Sequence, residues 1–178
     1  GRFDAARVTR NCAAEFSPIY CKIFVALGVG RDAASSTALA ADLSDARIRA
    51  IVALDLGPGR GLTPESLAAI HIPVMVLGAQ ADVDTETAIK ADIAATNKDS
   101  GYIARYLPPA TTTYSLIPGS LHFSFMQTCK PGAAELIEKE APGESIVCRD
   151  GAGADRAAIH RQVSGMVTDF LGTALADQ

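Results

Sequence analysis

The chain has 178 residues, 48% of them hydrophobic and 20% charged. That is enough for one domain with its own core and too apolar for a disordered segment. The formal net charge of −4 speaks against nucleic acid as a partner, because phosphate binding needs a concentrated basic surface. The absence of any apolar run of about 18 residues predicts no membrane span.

The first 45 residues carry weak signals. Positions 3–14 fit a helix, and the apolar stretch 21–27 fits a strand or a buried hairpin. Gly28-Val29-Gly30 and Gly57-Pro58-Gly59 are only Gly-x-Gly fragments without the rest of a dinucleotide fingerprint, so both read as turns.

From residue 48 the pattern is clearer. Residues 48–56 (IRAIVALDL) form a nearly continuous apolar run ended by a Gly-Pro-Gly turn, as in a strand buried on both faces. Thr63-Pro64-Glu65 opens a short helix with a capping residue, a proline at the first helical position and an acid in the first turn. Residues 73–77 (PVMVL) predict a second buried strand, ended by Gly78. A helix follows to about residue 95, capped by Asp84 or Thr85, with Ala88, Ile89 and Ile93 on its apolar face. Residues 112–117 read as a third strand stopped by Pro118-Gly119. Helices are predicted over 131–140 and 155–175, the latter with Ile159, Val163, Met166, Val167, Phe170 and Leu171 in one stripe. Strands alternating with helices predict an open, mostly parallel, doubly wound α/β sheet.

Cysteines stand at 12, 21, 129 and 148. No Cys-x-x-Cys pair occurs, and two local pairs favour disulfides Cys12–Cys21 and Cys129–Cys148 among the three possible connectivities. Such bridges imply an oxidising compartment, periplasmic or secreted. No His, Cys, Asp or Glu set has metal-site spacing, and no motif calls for a cofactor.

Ligands of open α/β sheets bind outside the carboxyl ends of the strands. Asp55, Asp82 and His122 fall there, after the first, second and third predicted strands. An acid followed by a histidine at successive strand ends is the order in which an α/β-hydrolase supplies the partners of its serine. Asp84 reads as a helix cap. His71 precedes a strand, at the wrong end of the sheet, and His160 reads as a solvent-facing residue of the last helix.

Gly78-Ala79-Gln80-Ala81-Asp82 resembles the Gly-x-x-x-Asp acid loop of bacterial cutinase-like and dienelactone-hydrolase-like esterases. Ile117-Pro118-Gly119-Ser120-Leu121-His122-Phe123 resembles their histidine loop, with its Gly-x-x-His-Phe pattern. Ala53-Leu54-Asp55 is similar to the strand end of the platelet-activating-factor acetylhydrolases of the same superfamily. The resemblance covers roughly residues 46–126 and implies a Ser-His-Asp triad. His122 would be the base. By the first pattern the acid is Asp82, which the complete Gly-x-x-x-Asp loop favours; by the second it is Asp55. The same fold analogy puts Phe123 and the Gly57-Pro58-Gly59 turn along an acyl pocket.

No serine is flanked by glycine at both −2 and +2, so the strained elbow that presents the nucleophile is missing. Ser120 and Ser124 share the loop of His122, and the family's serine precedes its acid. The sequence opens at Gly1 with neither initiator Met nor secretory leader. Residues 1–178 are therefore expected to be the C-terminal portion of a single hydrolase domain. A partner chain or fragment, N-terminal in origin, would carry the serine and the oxyanion hole. The expected reaction is hydrolysis of a small-molecule ester, with amides and thioesters served by the same constellation. The rival expectation is a non-catalytic hydrolase-fold module that binds a ligand or partner; a flavodoxin-like domain lacks the phosphate-binding loop it would need.

Overall fold

The computed structural model describes residues 1–14, 18–80 and 87–176, without the side chains of residues 14, 18–19 and 87–96. Three parallel strands form its sheet in the order β1 (Ile51–Leu54), β2 (Val74–Gln80), β3 (Thr112–Pro118). Ile51 pairs with Val74, and Val74 with Thr112, so the three carboxyl ends lie together. This is a mixed α/β fold, with the predicted strands close to where their apolar runs place them.

β2 shows why the run 73–77 is continuously apolar. Val74 and Val76 point to one face and Met75 and Leu77 to the other, as a two-residue period requires. The first pair packs with Ala53, with Leu67 of α4 (Pro64–Ala68) and with Ile103 and Leu107, which belong to or follow α5 (Thr87–Tyr106). The second pair packs with Ile117 and with Ile159 and Val163 of α7 (Arg156–Leu175), flanked by Met166, Val167 and Phe170. The predicted stripe of the last helix is thus the cover of one sheet face. Fully burying a side chain of this size contributes about 1.5–3 kcal/mol, so these two clusters hold the sheet between its helices.

Capping follows the sequence signals. Thr63 accepts from the Ser66 amide at the start of α4, with Pro64 inside its first turn. Asp155 accepts from the Ala157 amide at the start of α7. α6 (Ala133–Glu140) lies within the predicted 131–140. α5 runs to Tyr106, eleven residues past the predicted end near 95; it carries Asn97, Asp99, Ser100 and Gly101, weak helix formers, and stops just before Pro108 and Pro109. The proposed caps Asp84 and Thr85 lie outside the described residues, as do the side chains of Ala88, Ile89 and Ile93.

The amino-terminal region departs from expectation at one point. α1 (Ala5–Ala14) is the predicted helix, but residues 21–27 fall mostly in α2 (Pro18–Ala26), not in a strand or hairpin. A helix satisfies its backbone internally, whereas a strand here would need a neighbour. The Cys12–Cys21 disulfide ties α2 to α1, and Phe24 packs edge-on against Phe3. Gly28 stops the helix. Its φ is +70°, its amide donates to the Val25 carbonyl, and the Val29 amide donates to that of Phe24, a Schellman closure. α3 (Ala33–Leu39) follows, capped by Asp32.

The second predicted bridge, Cys129–Cys148, is also formed. Among the described residues no helix is long and apolar enough to cross a membrane. Two disulfides fit an oxidising setting of extracellular or periplasmic type.

Candidate active site

Asp55 and His122 meet beyond the carboxyl ends of β1 and β3. Asp55 directly follows β1, and its amide still donates to the Leu77 carbonyl of β2 at 2.7 Å. Its φ is +46°, the left-handed region that a non-glycine residue adopts at a cost. The turn carries the carboxylate back under the sheet end, where it is fully buried. Oδ1 accepts from the Ala79 amide at 2.9 Å and from the Ser100 hydroxyl of α5 at 3.1 Å. Oδ2 lies 2.9 Å from Nδ1 of His122.

A buried carboxylate is costly unless its oxygens are satisfied, and here three donors converge on it. Because an ionised carboxylate only accepts, Nδ1 of His122 is the donor to Asp55, which in the neutral imidazole makes Nε2 the acceptor. The imidazole is 31% exposed. One nitrogen is therefore anchored inside while part of the ring remains open to solvent, the arrangement of a base held in one tautomer.

The histidine loop is built for this reach. Gly119, with φ +74°, turns the chain after β3. Its amide donates to the Gln80 carbonyl and its own carbonyl accepts from the Gly151 amide. A Cβ at Gly119 would lie 2.9 Å from that of Ala154, so the position demands glycine for space as well as for φ. His122 then opens a short 3-10 turn, His122–Phe125, and Phe123 meets its ring edge-on.

A second buried charge sits behind Asp55. Asp99, next to Ser100 on α5, accepts from the amide and Nε of Arg60 at 2.9 Å. Burial raises its pKa above the ordinary carboxylate value. The hydrogen bonds and charge of Arg60 oppose that rise, and the negative charge of Asp55 adds to it. Arg60 belongs to the turn after Gly57-Pro58, so this pair fastens the segment following Asp55 to α5.

The structure thus joins His122 to Asp55, the acid of the acetylhydrolase-like pattern. Asp82 lies outside the described residues. His71 is exposed ahead of β2, as expected of the wrong end of the sheet. His160 corrects the sequence reading: it does not simply face solvent, because its Nε2 donates to the Ser124 carbonyl at 2.8 Å. Ser120 and Ser124 are both buried, with hydroxyls engaged by the Ile117 carbonyl and by Asp150. Sequence reasoning missed Ser100, which lies on a helix in no motif; only its place opposite a strand end reveals it. Among the described residues no three His, Cys, Asp or Glu side chains converge as a metal set.

No family model matches the chain, and neither does any curated protein or solved structure.

Proposed function

We propose that this chain supplies the acid and the base of a serine hydrolase of the α/β-hydrolase type, acting on carboxylic esters in the periplasm or outside the cell. The observation that carries the reading is the buried Asp55 carboxylate 2.9 Å from Nδ1 of a partly exposed His122. In this mechanism Nε2 of His122 removes the proton of a serine hydroxyl as that oxygen attacks the ester carbonyl. The imidazolium, stabilised by Asp55, then protonates the departing alcohol. Water repeats the cycle on the acyl-serine and regenerates the enzyme.

The geometry favours Asp55 as the acid, in place of the Asp82 that the loop pattern favours. The serine and the oxyanion hole come from outside these 178 residues, on a partner chain or another stretch of polypeptide. Two observations support that placement. The sequence holds no Gly-x-Ser-x-Gly elbow. Among the described residues β1 pairs only with β2, and Leu54 and Leu56 beside its free edge are exposed. A strand edge and apolar surface next to the site are what a docked strand would cover.

The test is a fluorophosphonate probe applied to the protein as isolated from its source, followed by mass-spectrometric mapping. Labelling of a serine outside residues 1–178, abolished by His122→Ala, is expected. An unlabelled preparation with no second polypeptide would leave the chain as a binding module and overturn the proposal.

A further inference from the structure

Behind the turn that carries His122 lies a buried polar relay that the proposed chemistry does not itself use. Ser124 is the third residue of that turn and is fully buried. Its hydroxyl accepts from the Leu121 amide at 2.8 Å, on the backbone just before His122. A hydroxyl has one proton, and this one goes to Oδ1 of Asp150. Asp150 is held in turn by Nε of Arg156, 3.0 and 3.2 Å from its two oxygens. The rest of the guanidinium donates to the carbonyls of Gln127, Val147 and Arg149. Those carbonyls flank Cys129 and Cys148, which are joined. From the other side, His160 holds the Ser124 carbonyl.

The direction of each bond gives the relay its meaning. A serine hydroxyl rotates freely unless an acceptor takes its proton. With Asp150 as that acceptor, a lone pair of Ser124 is fixed toward the Leu121 amide, and the backbone entering His122 is fixed with it. Arg156 keeps Asp150 in place through Nε, and its two terminal nitrogens are held by three backbone carbonyls next to the disulfide. A buried network that is fully satisfied rigidifies what it touches.

We infer that Ser124 and Asp150 are positioning residues for His122: they set the backbone of its turn so that Nδ1 meets Asp55. This rests on the reading of Asp55 and His122 as the acid–base pair, and its test does not need the hydrolytic reaction. In the 15N-labelled chain the Nδ1 proton of His122 is expected to resonate at low field as long as its hydrogen bond to Asp55 protects it from exchange, and its exchange rate with water reports how well the bond is held.

Ser124→Ala is expected to speed that exchange at least ~5-fold, the scale of one lost hydrogen bond. Asp150→Asn, which keeps the shape and weakens the acceptor, should act in the same direction to a smaller degree. Val74→Ala, a core change at the amino end of β2 on the sheet face opposite α7, should lower Tm without moving the resonance. Exchange unchanged in both Ser124→Ala and Asp150→Asn overturns the inference. So does an equal acceleration in Val74→Ala, which would mean general loosening. Asp55→Asn is the separate control. If it leaves the resonance untouched, the acid–base reading itself fails; if it abolishes the signal while Ser124→Ala does not move it, only the positioning role fails.

Discussion

Two regions of this molecule are each closed by a disulfide, and they differ in what the closure protects. Around Cys12–Cys21 the chain is helical and outward-facing: Ile23, Val25 and Leu27 are exposed, and Arg2 pairs with Asp42 in solvent. Around Cys129–Cys148 one ion pair points inward, with Arg156 buried and the Asp150 side chain only 13% exposed behind the turn of His122, while Lys139 and Glu140 stay in solvent. A surface ion pair is worth little, because water screens it and the long side chains lose freedom. A buried pair whose remaining donors are satisfied cannot lose one member without stranding the other. The same residue types therefore decorate one region and fix the geometry of the other.

The largest expected effect that separates the regions is on activity. With the serine-bearing partner present, His122→Ala should lower kcat for ester hydrolysis by roughly 10⁴-fold or more, whereas Val25→Ala should leave kcat within about twofold.

Next comes stability. Arg156→Ala should cost about 3 kcal/mol in denaturant unfolding, the low end for a broken buried pair, because the nearly buried Asp150 loses its guanidinium partner and keeps only the Ser124 hydroxyl. Arg2→Ala should not move the midpoint measurably.

The disulfides give a closer comparison. Their sequence separations are 9 and 19 residues, so chain entropy alone predicts losses of about 2.5 and 3 kcal/mol when each is replaced by serines. Only removal of Cys129–Cys148 should also reduce kcat. An equal fall in kcat on removing Cys12–Cys21 would erase the distinction between the two regions.

The smallest effect concerns acid. Hydrogen bonds from Ser44, then Arg2, lower the Asp42 carboxyl from 3.8 to about 2. A depressed carboxyl contributes stability above its unfolded value and loses it as the pH falls. Asp42→Asn should therefore lose a small contribution that is present at neutral pH, and the variant and the parent should converge as the pH falls between those two values, which slightly flattens acid unfolding.

The core of the fold was legible because β2 is buried on both faces, which leaves a continuous apolar run with a two-residue alternation hidden inside it. The last helix was legible for the complementary reason, since its stripe from Ile159 to Phe170 covers one of those faces. Residues 21–27 were not legible. An apolar stretch of β-branched and aromatic residues fits helix or strand by period alone, and the Cys12 bridge and Gly28 closure that decide it act through space and φ.

The site was half legible. His122 stands in a turn whose Pro-Gly start marks a strand end. The acid was harder, because two aspartates follow two strands and only geometry brings Asp55 to the imidazole. The relay joins Ser124, Asp150 and Arg156 across distant stretches of sequence with no spacing rule, so nothing in the sequence announces it.

The account turns on Asp55 as the partner of His122. The most direct measurement is kcat for a chromogenic acyl ester, compared between Asp55→Asn and Asp82→Asn in the assembled enzyme. The account predicts a loss of roughly 10⁴-fold for Asp55→Asn, as when a triad carboxylate becomes an amide and the imidazole tautomer is no longer held, and a change within a few-fold for Asp82→Asn. A large loss in Asp82→Asn with near-normal turnover in Asp55→Asn would contradict it.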